Sequence, residues 1–380
     1  MTTKVLTFLT QFEHVSDLIA AKESFEAANP GVTIEIAQAT DNFESMRALT
    51  SDNPPDLMDS GGWGLFQNNN MFVDLTSLVE AEQGLADDLQ PGPMRIARKD
   101  GSLPALPVDV SVPLILIKKQ LFDEAGISYP REGWTWAEFA ELAGRLTLRN
   151  EQGVATQFGF GTAPDIEHYE PFIMRNGGSY LSPDGKTAHG YIDSEATIDA
   201  FRSVIDLYRV QGGIRKPGEP SEAGELHQRF AMVFTFTWFV GGCIQHGIVD
   251  QYELLGLPQM PAGQPGNMLY MGGVGITQAS KEPELAWKFL RHYVLERPER
   301  FARSDTRTLP ITRSLAEQSG MSEHPIWSRY LRELDDIRAS GFYLNEKWNS
   351  SRQLINEDIK RMIVDGADVA QTLKSWTRFA

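Results

Sequence analysis

Residues 103–122, LPALPVDVSVPLILIKKQLF, limit the choice of fold more than any other part of the chain. The second half, 112–117, is an unbroken apolar run, too short for a membrane helix and of the length of a strand buried on both faces. Around it stand Pro104, Pro107 and Pro113, each without a backbone donor and with φ fixed. Such residues belong at strand starts, edges or crossings rather than inside a hydrogen-bonded ladder. The polar island Asp109-Val110-Ser111 lies between the last two prolines. The stretch therefore reads as the place where the chain leaves one lobe and enters another, carrying Asp109 and Ser111 into the gap.

Two lobes also follow from length, because 380 residues exceed what one hydrophobic core usually supports. No segment approaches the roughly 20 uncharged apolar residues of a membrane span. The longest candidate, 230–244, is broken by Thr235, Thr237 and Gly241-Gly242. A formal net charge of −16 argues against nucleic acid or anionic lipid as partner and favours a neutral or cationic ligand. The single cysteine, Cys243, excludes an internal disulfide and a cysteine-rich metal site. Its neighbours Phe239, Val240 and Ile244 make it a small buried hydrophobe. After Met1-Thr2-Thr3 the chain enters a strand-like run without signal-peptide features, so the expectation is a cytoplasmic protein or one whose leader has been removed.

Along the chain, strand 4–9, helix 17–29 ended by Asn29-Pro30-Gly31, and strand 32–37 make a βαβ opening, which implies a parallel sheet covered by helices. Residues 54–58 read as a third short strand followed by a Gly-rich loop. In open α/β sheets ligands bind beyond the carboxyl ends of strands, so loops 10–14, 40–43 and 59–63 are expected to converge on one edge. Helices are expected over 135–148, 194–210, 283–295, 326–340, 351–365 and 369–379. A buried strand is expected over 230–234, a further strand over 254–258 and a glycine-rich, flexible strand over 272–277.

These landmarks occur in an order that resembles the extracellular solute-binding proteins of sugar-importing ABC transporters, the group that includes maltose-binding protein. The match is carried by Phe25-Glu26-Ala27-Ala28-Asn29-Pro30-Gly31-Val32, Pro55-Asp56-Leu57 and Leu106-Pro107. It continues with Leu121-Phe122-Asp123-Glu124-Ala125-Gly126-Ile127, Trp134-Thr135-Trp136-Ala137-Glu138-Phe139, Ala231-Met232, Gly272-Gly273-Val274-Gly275-Ile276 and Ala286-Trp287-Lys288-Phe289-Leu290. The resemblance implies an α/β, two-lobed periplasmic-binding-protein fold of type II, with hinge-linked parallel and mixed sheets covered by helices. The lobes would be 1–108 plus 275–310 and 113–271 plus 312–380, with hinge crossings near 108–112, 272–275 and 309–312. Glycine at a crossing absorbs the φ/ψ change that bending requires.

The same resemblance implies a high-affinity sugar or oligosaccharide receptor of the Venus-flytrap kind. It would capture ligand between the lobes by hinge closure and deliver it to membrane permease subunits. It would act as a monomer in the periplasm or outside the cell, with no cofactor, metal or nucleic acid partner and no enzymatic activity. Sugars are recognised by aromatic faces that cover C–H patches and by polar groups that bond hydroxyl pairs. Trp238, six residues beyond Ala231-Met232, resembles the family's stacking tryptophan, against the plainer reading of a core residue. Trp63 sits in a Gly-rich loop with little local core to join. Asp165, Glu167 and His168 precede a helix and match the family's acid-bearing loop, with Tyr169 as a candidate aromatic. Gln11, Glu13, His14, Asp41 and Ser60 lie in the strand-end loops. Asp109, Ser111, Gly272 and Gly273 lie at the crossings, and Trp348 and Asn349 precede the penultimate helix, where Trp348 reads equally as a cleft residue or as a helix-docking tryptophan.

Two other functions compete. A polyol, glycerol-phosphate or sulfonated-sugar receptor would need an anchoring arginine, for which Arg307 and Arg352 are candidates. A glycoside-cleaving enzyme would use an Asp/Glu pair such as Asp165 and Glu167. Neither a P-loop, nor a dinucleotide fingerprint, nor a metal-type histidine spacing, nor a Gly-x-Ser-x-Gly elbow occurs.

Overall fold

The structure is a computed structural model, and it describes residues 3–12, 15–66, 70–224, 228–303 and 306–380. The strands among these residues are, in chain order, β1 (Lys4–Thr10), β2 (Val32–Gln38), β3 (Leu57–Ser60), β4 (Leu106–Ser111), β5 (Leu114–Lys118) and β6 (Leu148–Arg149). They continue with β7 (Ala155–Gly161), β8 (Phe230–Thr235), β9 (Tyr252–Leu255), β10 (Asn267–Ile276) and β11 (Ile337–Ala339). The chain divides into two compact units, Met1–Ser111 with Leu269–Asp335, and Val112–Met268 with Asp336–Ala380.

In the first unit the βαβ opening forms a parallel pair, with β1 alongside β2 from Lys4↔Val32 to Thr10↔Gln38 and β3 on the other side of β1. β10 runs antiparallel to β3 and to β4. Because β4 has this one neighbour, Pro107 sits on an edge strand, where its missing donor costs no ladder bond. Helix Ser16–Ala28 turns Leu18, Ala21 and Phe25 inward. Helix Pro283–Leu295 supplies the facing side, with Phe289 edge-on to Phe25 at 5.2 Å and to Phe8 at 6.1 Å between ring centres.

The second unit carries a sheet in the order β6-β7-β8-β5-β9. The apolar run becomes β5, whose Leu114, Ile115, Leu116 and Ile117 are all buried. It is not the central strand, however. β8 holds the middle because it pairs with both β5 and the parallel β7. Helix Trp136–Arg145 starts on a complete capping box. Thr135 accepts from the Glu138 amide, and the Glu138 carboxylate accepts from the Thr135 amide. Phe139 and Ala143 then face β7, where Gly159 gives the room: a Cβ there would lie 1.9 Å from the Ala143 carbonyl oxygen.

Two expectations change. The segment 309–312 is not a passage between units. The Leu309 amide donates to the Val110 carbonyl at 3.0 Å and the Gln90 amide to the Ile311 carbonyl at 2.7 Å, which ties the segment into the first unit. The chain passes over at Ser111/Val112, at Met268/Leu269 inside β10, and at Asp335/Asp336. Accordingly 272–275 falls inside the first unit and 312–335 belongs to it as well. The expected helix over 326–340 is also shorter, Trp327–Glu333, and gives way to β11. The acid pair Asp335-Asp336 opposes the negative end of a helix dipole and stops it there.

Among the described residues no helix is long and apolar enough to cross a membrane, and no group of three or more His, Cys, Asp or Glu is placed to hold a metal ion.

Candidate functional site

In the first unit, β1 and β3 end on the same edge, and Gly272 of β10 joins them there. A register shift between Met271 and Gly273 leaves Gly272 opposite two residues of β4, Val108 and Asp109, a β-bulge whose extra residue lies in β4. A Cβ on Gly272 would lie 2.5 Å from the Ser60 carbonyl oxygen, 3.2 Å from the Asp109 Cβ and 3.3 Å from the Phe12 ring. The missing side chain therefore lets β3, β4 and the loop after β1 close around one point. The Gln11 amide donates to Asp59 Oδ1 at 2.7 Å, and the Gln11 side chain donates to Ser45 Oγ at 2.6 Å.

Asp109 is half-buried at this edge. Burial pushes its carboxyl up to about 6 against the opposing pull of Arg300, and no described residue donates a hydrogen bond to it. Glu13 and His14 lie outside the described residues. Asp41 is exposed and caps helix Asn42–Leu49, its carboxylate accepting from the Glu44 amide at 2.8 Å. That bond explains the residue locally. Ser60 and Ser111 are buried. Trp63 is a correction. It is 2% exposed, and its ring occupies the space over Gly273, where a Cβ would come within 2.7 Å of it. A glycine more than two hundred residues away supplies the core that the local sequence lacks.

In the second unit Trp238 stands on the first turn of helix Thr237–Gln245, directly after β8. It is 49% exposed, and its ring lies parallel to that of Phe236, 5.9 Å away and tilted by 14°. Phe236 is braced perpendicular to Phe234 at 5.6 Å, and His168 packs on both. Burial pulls His168 down to about 4, so the ring is neutral at neutral pH.

Asp165 caps helix Ile166–Arg175 through the Glu167 amide at 2.9 Å. It also accepts from Arg352 Nε and Nη2 at 3.2 and 3.0 Å and from Asn356 Nδ2 at 2.7 Å. Glu167 takes the same Arg352 Nη2 at 2.5 Å, and burial raises its carboxyl despite that cation. Asn349 is exposed and lines a surface hollow of about 480 Å³ with Arg352, Asn356 and Lys360.

Trp348 is a second correction. It is fully buried beside Tyr180, ring centres 5.5 Å apart, under Gly341. Tyr169 is likewise internal, donating its hydroxyl to Tyr208 at 3.0 Å.

The structure thus gathers Gln11, Ser60, Asp109, Gly272 and Gly273 in one unit, and Asp165, Glu167, His168 and Trp238 in the other. Sequence reasoning passed over Phe12, Asp59 and Phe236. The acid inside the apolar strand 57–60 was the available signal for Asp59.

Residues 13–297 match the family model described as bacterial extracellular solute-binding protein. The chain belongs to this family. A binding protein of Brucella abortus (strain 2308) is 26% identical over 300 residues, covering 71% of this chain and 66% of that protein. The arabinooligosaccharide-binding protein of Halalkalibacterium halodurans is 24% identical over 301 residues, covering 74% and 64%. The chain thus spans slightly less than two thirds of the length of these curated relatives. Among solved structures, the sugar-binding protein MalE of Xanthomonas citri matches with a TM-score of 0.82 at 17% identity, over 99% of this chain and 96% of that one. The two-sheet α/β fold of this solute-binding protein is therefore the MalE-like one.

Proposed function

We propose that this chain is the receptor of an ABC importer for sugars or oligosaccharides, capturing its ligand outside the cytoplasmic membrane and handing it to permease subunits without chemically altering it. The observation that carries the reading is Trp238. One face of its ring is held on Phe236 and about half of the residue is open to solvent. A braced aromatic with a bare face suits the C–H patch of a sugar ring. Asp109, a carboxylate that no described residue bonds, suits hydroxyl donors. The names of the arabinooligosaccharide-binding and MalE relatives support the same ligand class.

The competing readings lose support at Arg352. The guanidinium that an anionic solute would need already bonds Asp165 and Glu167, and the same bonds occupy the acid pair that a glycosidase would need. Three passages between units are the connectivity that hinge bending uses, and ligand contacts would favour the closed population.

A thermal-shift screen with glucose, maltose, maltotriose, arabinobiose and arabinotriose tests the proposal. At least one sugar is expected to raise the melting temperature in proportion to RT ln(1 + [L]/Kd). Unchanged melting across the panel, together with a rise on adding glycerol 3-phosphate, would replace the sugar reading with the anionic one.

A further inference from the structure

Asp59 is a fully buried carboxylate at the end of a strand that is otherwise apolar up to that point. One oxygen, Oδ1, accepts from the Gln11 amide at 2.7 Å, and the Thr10 hydroxyl also bonds the carboxylate. Thr10 Oγ1 in turn accepts from the Phe12 amide at 3.1 Å. Asp59, Thr10 and the backbone of residues 11–12 therefore form one connected set of hydrogen bonds. The other oxygen, Oδ2, is buried and has no hydrogen-bond partner among the described residues. An apolar side chain would complete the strand without that loss. What the carboxylate adds is its hold on the loop that brings Phe12 beside Gly272 and Gln11 beside Ser45.

We propose that Asp59 is a positioning residue for ligand capture: its buried carboxylate fixes the backbone at Gln11 and Phe12, and its donor-less oxygen takes up one proton that weakens this hold. The proposal rests on reading the edge of the first unit as part of the sugar site. Protonation forms an O–H bond at Oδ2 and removes the carboxylate charge. The bond from the Gln11 amide then changes from charge-assisted to neutral, and charge-assisted bonds are roughly twice as strong. Burial pushes this carboxyl up to about 7, which puts the exchange in the neutral range.

Tyr293, from helix Pro283–Leu295, is the titratable group that senses Asp59. Burial raises it far above that range, so it stays protonated. Arg300 lies over the Tyr293 ring and pairs with Asp17, with Arg297 on the same acid. Across Gly272, Asp109 is the other acid near this loop that titrates high.

The test follows the Gln11 amide resonance of the full-length protein, without ligand, from pH 5 to 9. The expected result is a one-proton curve with its midpoint at about 7, absent in Asp59→Asn and retained in Asp109→Asn. Asp59→Asn keeps an acceptor for the Gln11 amide but not the charge, so exchange of that amide with solvent is expected to be about fivefold faster than in wild type at pH 8. In Asp59→Leu, which loses the acceptor, it accelerates at least tenfold. A flat wild-type resonance, a curve that persists in Asp59→Asn, or one that vanishes in Asp109→Asn would overturn the proposal. With maltotriose as probe, affinity is expected to rise more from pH 6 to pH 8 in wild type than in Asp59→Asn, where Asp109 alone still titrates. A protein that shows the resonance curve but binds no maltotriose would count against the sugar class, not against the role of Asp59.

Discussion

At the edge of the first unit Asp59 and Asp109 have few donors, and both carboxyls titrate above the usual range. At the edge of the second, Asp165 takes four donors and shares Arg352 with Glu167. The apolar parts differ in the same way. The large aromatic of the first edge, Trp63, is sunk under Gly273, while that of the second, Trp238, stands open on Phe236. One edge thus offers hydrogen-bond acceptors in close quarters around glycine. The other offers a ring in front of a polar frame whose demands are already met. An acid with its donors supplied, such as Asp165, is scaffolding, and a part-exposed acid without them, such as Asp109, still has capacity for a ligand.

The largest expected effect separates the two tryptophans of the second unit. Trp348→Ala empties a fully buried site and is expected to lower stability by about 3–5 kcal/mol in denaturant unfolding. Trp238→Ala is expected to leave free-protein stability within about 1 kcal/mol while weakening sugar binding at least tenfold. Equal losses of stability in the two variants would return Trp238 to the core.

A smaller effect separates two glycines of the first unit. Gly273→Ala forces a methyl to within 2.7 Å of Trp63 and is expected to cost about 1–3 kcal/mol. Gly62→Ala meets nothing within 4 Å and is expected to be close to neutral in the same unfolding measurement.

The smallest effect is a slope. Asp109 is raised from 3.8 to about 6, so between these values the folded protein holds a proton that the unfolded chain has released. Wild-type stability is therefore expected to fall, relative to Asp109→Asn, as pH rises from about 4 through about 6, and to run level above that. A slope of the opposite sign would mean that Asp109 has donors after all.

Much of this was legible in the sequence, because the informative signals were local. The alternation of β2, the stop at Asn29-Pro30-Gly31, the capping box at Thr135 and the Gly272-Gly273 pair each declare an element within a few residues. What the sequence did not disclose depends on partners far along the chain. Trp63, flanked by glycines, looked exposed because its cover comes from β10. Trp348 read equally well as a cleft residue or a helix-docking tryptophan, and its cover by Tyr180 and Gly341 decides for the second. The third passage was misplaced because nothing in Leu309-Pro310-Ile311 signals its bonds to Val110 and Gln90. Asp41 and Asp165 both carry the signature of a helix cap, but only Asp165 also meets Arg352, which lies almost two hundred residues on.

The interleaved connectivity also has a consequence for biosynthesis. Phe8 and Phe25 have Phe289 as their core partner, and the second neighbour of β3 is β10, so neither is available when residue 111 leaves the ribosome. At about 5–20 residues per second, the wait for the end of helix Pro283–Leu295 is on the order of ten to forty seconds. Throughout that interval the β1–β3 layer has one apolar face uncovered. Early closure of the first unit is prevented by topology, however well its finished core packs.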